Sequence, residues 1–220
     1  MTLLARGAWA DEIEQKGLKI RRKYIGKSVQ LSIPVIRTLE AEDVYDVIFV
    51  VMRCTQLCDV LPILQANASE RVVFVGNNLD GYLYEKAMPE KDVYFAFCAS
   101  AGQRKNGQVV GIDLKRITIG QFHTDEPADS FIHAIFQDTG YKVTYLTNME
   151  DFLLCHAAYV VPVAFAVYRT DGQLKSLVKD PAYMERVLEA IREGYRAIEA
   201  AGHEILPPSD RTYDTEAYGS

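Results

Sequence analysis

YDVIFVVMRCTQLCDVLPIL, residues 45–64, is the stretch whose reading decides the fold. Residues 47–52 are a continuous apolar run of strand length, rich in β-branched side chains, which predicts a strand buried on both faces of a sheet. A helix should follow, with Thr55 able to cap it and Leu57, Val60, Leu61 and Leu64 recurring at helical spacing. The carboxyl ends of strands in an open α/β sheet border the ligand crevice, so this junction aims Arg53 and Gln56 at whatever is bound there. A second apolar strand at 72–75 ends in Gly76-Asn77-Asn78 and delivers more polar groups to the same side.

Outward from this pair, residues 2–4 read as the end of a strand. A short helical turn at 9–16 stops at Gly17, and 18–21 and 29–33 alternate as two strands joined around Gly26. On the other side, 93–99, 108–112 and 116–119 are strand-like, with Lys105-Asn106-Gly107 a hairpin turn between them. Residues 131–136 form a helix core and 141–146 a last strand. From there the pattern is helical only. Asn148 can cap an apolar helix that runs to about Arg169 and is kinked by Pro162. Asp180-Pro181 opens a further helix that stops at Gly202, and the polar tail after Pro207-Pro208 should fray. The prediction is an α/β chain, with a nucleotide-binding-type sheet over 1–147 and an all-α domain over 148–220.

Composition sets the limits. The chain has 220 residues, 49% hydrophobic and 25% charged, enough to bury a real core. Its 24 basic and 30 acidic residues leave a net charge of −6, with no long basic cluster, which argues against nucleic acid as a partner. No signal peptide is legible at the start, and the most apolar segment, 152–168, contains His156 and Pro162 and falls short of a span; it reads as a buried helix. Cys54, Cys58, Cys98 and Cys155 all lie in apolar segments, as buried thiols in a reducing cytoplasm would. Cys54 and Cys58 lack the further ligands a zinc site needs, so no metal is expected.

The order of LLARG near the start, Met52-Arg53-Cys54-Thr55-Gln56, Gly76-Asn77, the Gln103-Arg104-Lys105-Asn106-Gly107 turn, Ile117-Thr118-Ile119-Gly120, the helix with Pro162, Asp171-Gly172-Gln173-Leu174 and 199–203 resembles that of the ketopantoate reductases. The resemblance covers nearly the whole chain and rests on order and spacing. It implies a Rossmann-type sheet domain followed by a helical domain, reduction of 2-dehydropantoate or another 2-keto acid by NADPH, and a substrate held between the two domains. Arg6 resembles the basic residue that grips the 2′-phosphate of NADP(H), a task that suits a guanidinium. Arg53 stands where the family usually has Lys, and Gln56 and Asn77 resemble the polar residues around nicotinamide and ribose.

The departures are as informative. The family's strand, G-x-G-x-x-G turn and helix that cradle the pyrophosphate are expected in about the 25 residues before Met1, and further helices beyond residue 220. The chain therefore reads as an incomplete Rossmann-type unit, and the strands beside the gap should close on each other or on a second subunit if nothing fills it. The family's catalytic Lys is matched by Leu153 or Leu154, neither of which can give a proton. His156 is the nearest titratable substitute, and its alternative is a core histidine. The substrate-holding Asn positions match Ala157, Val161 and Asp171. Two functions follow from the resemblance: a truncated or divergent cytoplasmic reductase, or a non-catalytic relative that binds or dimerises, with a homodimer as the expected assembly.

Overall fold

The computed structural model describes residues 1–24, 26–126 and 130–214. It opens with strand β1 (Leu3–Leu4), helix α1 (Gly7–Lys16) and strands β2 (Leu18–Arg22), β3 (Ser28–Leu31) and β4 (Val35–Ile36). β2 and β3 are the antiparallel hairpin expected around Gly26, which adopts the φ of +68° that glycine accepts most readily. α1 buries Ala10 and Ile13, while Arg37 ties Asp11 and Glu14 at 2.6 Å each.

The deciding stretch forms strand β5 (Ile48–Val50), a 3-10 turn at Cys54–Gln56 and helix α2 (Leu57–Ala66). Next come β6 (Arg71–Val75), helix α3 (Gly81–Ala87), β7 (Asp92–Lys105), β8 (Gln108–Gly120), helix α4 (Ser130–Phe136) and β9 (Lys142–Leu146). β5, β6 and β7 are parallel neighbours, β8 runs antiparallel to β7, and β9 runs parallel to β8. Two apolar layers sandwich this sheet. Phe74, Phe95 and Phe122 pack with Leu57, Leu64, Met149 and Leu153 on one face, and Val73, Tyr94, Ile117 and Ile119 pack with Ile132 on the other.

Three expectations about these strands are corrected. First, β5 is not buried on both faces: Phe49 is 39% and Val51 71% exposed. It is the edge of the seven-stranded sheet, with no partner beyond β6 among the described residues. β1 pairs instead with β4 in a separate two-stranded parallel sheet, so β1 and β5 do not close on each other. Second, Thr55 lies inside the 3-10 turn and does not cap α2; Gln56 holds the cap position without a side-chain bond. Third, Cys54 in this turn and Cys58 in the first turn of α2 are exposed, Cys98 is half-buried, and Cys155 alone is buried.

The predicted strands 108–112 and 116–119 are one long strand. β7 and β8 join through Asn106 and Gly107, both at positive φ, the two-residue turn whose twist matches a hairpin. β8 bends near Lys115, at φ +51°, and the ladder slips a register between Cys98 and Ser100. Its first half then pairs with β2 and its second half with β9.

Helices α5 (Met149–Arg169), α6 (Leu174–Leu177) and α7 (Pro181–Ala200) follow. Asn148 and Asp180 cap α5 and α7 as expected, accepting from the backbone N–H groups of Asp151 and Tyr183. Gly194 lets α7 approach the Ala158 methyl on α5, and Cys155, Ile191 and Tyr195 fill the layer between them. By length and composition α5 could cross a membrane. The expectation of a buried helix holds only in part: Met149, Leu153 and Cys155 are buried, whereas Val161, Phe165 and Tyr168 face outward, 50%, 67% and 78% exposed. Nor does the tail fray through Asp214. Pro208–Asp214 is a 3-10 helix, docked where the Tyr213 ring meets Tyr159 and Tyr195 and its carbonyl accepts from Arg192. The whole is a Rossmann-type α/β sheet followed by a helical region.

Candidate functional site

The ladder between β5 and β6 ends with Val50 paired to Phe74, and Arg53 and Asn77 each lie three residues beyond that pair. Both residues thus follow the carboxyl ends of neighbouring parallel strands, the side of an open α/β sheet that borders a ligand crevice. Gly76 shapes the end of β6. Its φ of +144° turns the chain there, and a side chain on it would project toward the Met52 carbonyl. Arg53 and Gln56 are exposed, and Asn77 is half-buried.

Asn77 carries the clearest signal. Its Oδ1 is buried, with no hydrogen-bond partner among the described residues. Such an acceptor costs about 1–3 kcal/mol when left unmade, so one held at a strand end is a feature of a site rather than of packing. The neighbouring Asn78 is buried and turns its amide toward the Gly76 carbonyl, a local contact that shapes the loop.

Arg6 lies two residues beyond β1, at the cap position of α1, where its backbone is extended and its side chain exposed. A guanidinium there suits a phosphate. Among the described residues, however, no glycine-rich turn between a strand and a helix offers backbone N–H groups to a pyrophosphate. The residues present therefore fit the two ends of a dinucleotide and not its middle.

His156 projects from α5 against the Phe97 ring, 4.0 Å between centroids, with Phe152 one turn away at 6.4 Å. Burial holds its pKa below the ordinary value of 6.5, and Asp210 only partly offsets this. The ring is neutral at pH 7 and is a weak proton donor. Leu153 is fully buried in the sheet core. Asp171 sits at φ +49° in the turn after α5, fifteen residues past His156 and so about 22 Å along the chain's axis at 1.5 Å per residue. Arg53 and Gln56 follow the carboxyl end of β5, Asn77 follows that of the neighbouring β6, and Asp171 lies beyond the end of the helix that carries His156.

The depressed pKa fixes a pH dependence. The unfolded chain binds a proton at His156 more readily than the folded one, so stability falls as pH drops through 6.5 and below. His156→Leu should flatten that fall and match or exceed the parent in thermal stability at pH 5, while differing little at pH 8. A steeper fall in the variant would show that His156 is held as a cation instead.

Sequence reasoning missed Asp151. Buried in the first turn of α5, it takes His203 Nδ1 on one oxygen at 2.7 Å, and the Glu204 N–H and Asn148 Nδ2 on the other at 2.9 and 2.7 Å. His203 lies just past the Gly202 stop, and an Asp inside an apolar run was the only sign of a distant partner. Glu150, Asp151 and His203 come close enough to hold a cation, but Asp151 already has three partners, which makes the cluster a clamp.

The description "Ketopantoate reductase PanE/ApbA" belongs to the family model that matches residues 1–124. No curated protein sequence matches the chain. Among solved structures, the probable 2-dehydropantoate 2-reductase of Bacillus subtilis is similar with a TM-score of 0.71 at 17% identity, covering 97% of this chain and 72% of its own. A D-mandelate dehydrogenase solved with NADH and anilino(oxo)acetate gives 0.72 at 17% identity, over 96% and 70%. A dimeric ketopantoate reductase from Staphylococcus aureus gives 0.65 at 17% identity, over 97% and 83%. At these identities the structures speak for the fold, whereas the sequence model spans more than half of the chain: this protein belongs to the ketopantoate reductase family.

Proposed function

We propose that the chain is a divergent, NADPH-linked oxidoreductase of the ketopantoate reductase type, directed at 2-dehydropantoate or another 2-keto acid in the cytoplasm. The observation that carries this is the buried Oδ1 of Asn77 at a strand end, without a partner among the described residues. Arg6 would meet the 2′-phosphate, Arg53, Gln56 and Asn77 the nicotinamide and ribose. The cofactor, when bound, supplies the hydride. Residues 1–147 form the cofactor domain in this reading, and 148–220 the substrate and dimerisation domain, where Asp171 stands in place of a substrate-holding Asn. The mandelate dehydrogenase, solved with NADH and a 2-oxo acid analogue, and the dimeric reductase are consistent with that assignment.

A second reading, a binding or dimerising relative without catalysis, is favoured by one observation. Neither Leu153 nor Leu154 at the family's lysine position can give a proton, and the histidine after them is kept neutral among aromatic rings.

Titration with NADPH and NADH, followed through the single indole of Trp9 and the nucleotide's own fluorescence, separates the two. Saturable NADPH binding is expected, with a dissociation constant well above the micromolar range common for substrates, because no pyrophosphate cradle supports it. Arg6→Ala should weaken NADPH and leave NADH unchanged; Asn77→Ala should weaken both. Absence of saturation with either nucleotide would leave the binding-module reading in place. Micromolar or tighter affinity would mean that another set of groups holds the pyrophosphate.

A further inference from the structure

The parallel ladder of β8 and β9 sets Arg116 beside Lys142, Thr118 beside Thr144 and Gly120 beside Leu146. Ladder partners point to the same face of a sheet, so two cations and two hydroxyls share one surface. That surface is the wall of a groove of about 250 Å³, closed on its far side by Phe152 from α5 and by Pro207. No carboxylate lines it, and neither Arg116 nor Lys142 forms an ion pair with a described residue.

Like charges placed side by side on adjacent strands repel, and a chain with a net charge of −6 has acidic side chains to spare for neutralising them. Here none does so. The hydroxyls of Thr118 and Thr144 supply donors next to the cations, and the Phe152 ring and Pro207 give an apolar floor. We infer that this groove binds a small oxyanion, the phosphate or carboxylate of a compound with a short apolar part.

Size and place exclude the dinucleotide itself. The groove is below the roughly 300–1,000 Å³ of pockets that enclose drug-sized ligands. It also lies three strands from β6, about 14 Å across the sheet from the Asn77 loop. The inference is independent of the cofactor reading.

The test uses the full chain with inorganic phosphate and with isobutyrate as probes, against chloride at equal ionic strength. Thermal midpoints are measured for the parent, for Arg116→Gln with Lys142→Gln, and for Lys19→Gln with Lys27→Gln as a remote-charge control. Saturable stabilisation by at least one probe is expected in the parent and the control, with apparent affinity at least tenfold weaker in the Arg116/Lys142 variant. Phosphate alone acting would mark a phosphomonoester ligand, and isobutyrate acting would mark a carboxylate with an apolar tail. Without any oxyanion, the Arg116/Lys142 variant should melt at or above the parent's midpoint, since repulsion has been removed. Equal shifts in all three proteins, or none beyond chloride, would overturn the inference. So would a drop of several degrees in the anion-free variant, which would mean that the cations serve the fold.

Discussion

Gly120→Ala should remove a large share of the protein's stability. A Cβ built on Gly120 would lie 1.8 Å from the Leu146 carbonyl oxygen and 2.9 Å from its carbon, with Met149 Cγ at 3.2 Å. The obstacle is backbone, so no change of rotamer relieves it. Gly120 pairs with Phe95 on one side and Leu146 on the other, and a shift on either side breaks a ladder inside the core. Overpacking of this kind costs about 1–3 kcal/mol, and the broken strand pairing takes the expected loss to about 3–5 kcal/mol. Set against a typical total of about 5–15 kcal/mol, that is at least about a fifth of the fold's stability. Urea unfolding followed by far-UV circular dichroism would measure it, and a midpoint within error of the parent would show that β9 does not pack as described. Gly194→Ala makes a useful comparison. There the Cβ meets the side-chain methyl of Ala158 at 2.9 Å, and two helices can part slightly where a sheet cannot.

The second large effect is expected from Asp151→Ala. That carboxylate is 3% exposed and has two side-chain partners and one backbone partner, and its removal strands the Glu204 N–H, the Asn148 amide and the His203 ring together. Breaking a buried charged network by deleting one member costs about 3–5 kcal/mol. Asp151→Asn keeps the shape and one acceptor oxygen, so it should lose less. Denaturation midpoints for the two variants, with His203→Gln alongside, test the clamp. Equal and small losses in all three would mean that α7 is held to α5 by apolar contact alone.

The parts legible in the sequence were those that local rules govern. The Asn106-Gly107 turn, the Asn148 and Asp180 caps and the order of strands before helices all come from residues close together in the chain. The site was legible in the same degree: Asn77 stands at a strand end because 72–75 is an apolar run followed by glycine. What could not be read depends on neighbours far along the chain. The run at 47–52 has the composition of a buried strand, but its burial depends on whether both its edges find partners, and β5 finds one. Cys54 and Cys58 looked apolar in context and are exposed. The two distant partners of Asp151 lie 52 and 53 residues away and cannot be named from its own surroundings, and the oxyanion groove needs a register between β8 and β9 that no single strand encodes.

The division of β8 between two partners also bears on the order in which the chain assembles. β7 and β8 meet through a two-residue turn, with contacts that begin at Lys105 and Gln108. β9 must close a loop of only 26 residues, from Arg116 to Lys142, whereas β2 must close one of 89, from Ile20 to Val109. Loop-closure entropy grows with the logarithm of that length, which puts the β2 pairing about 1 kcal/mol behind β9. On that measure β8 takes up β9 before β2, whereas β6, 21 residues before its partner positions in β7, closes as readily as β9. Synthesis makes β2 before the strand it joins and the strand it waits for, and the sheet takes it up after β9.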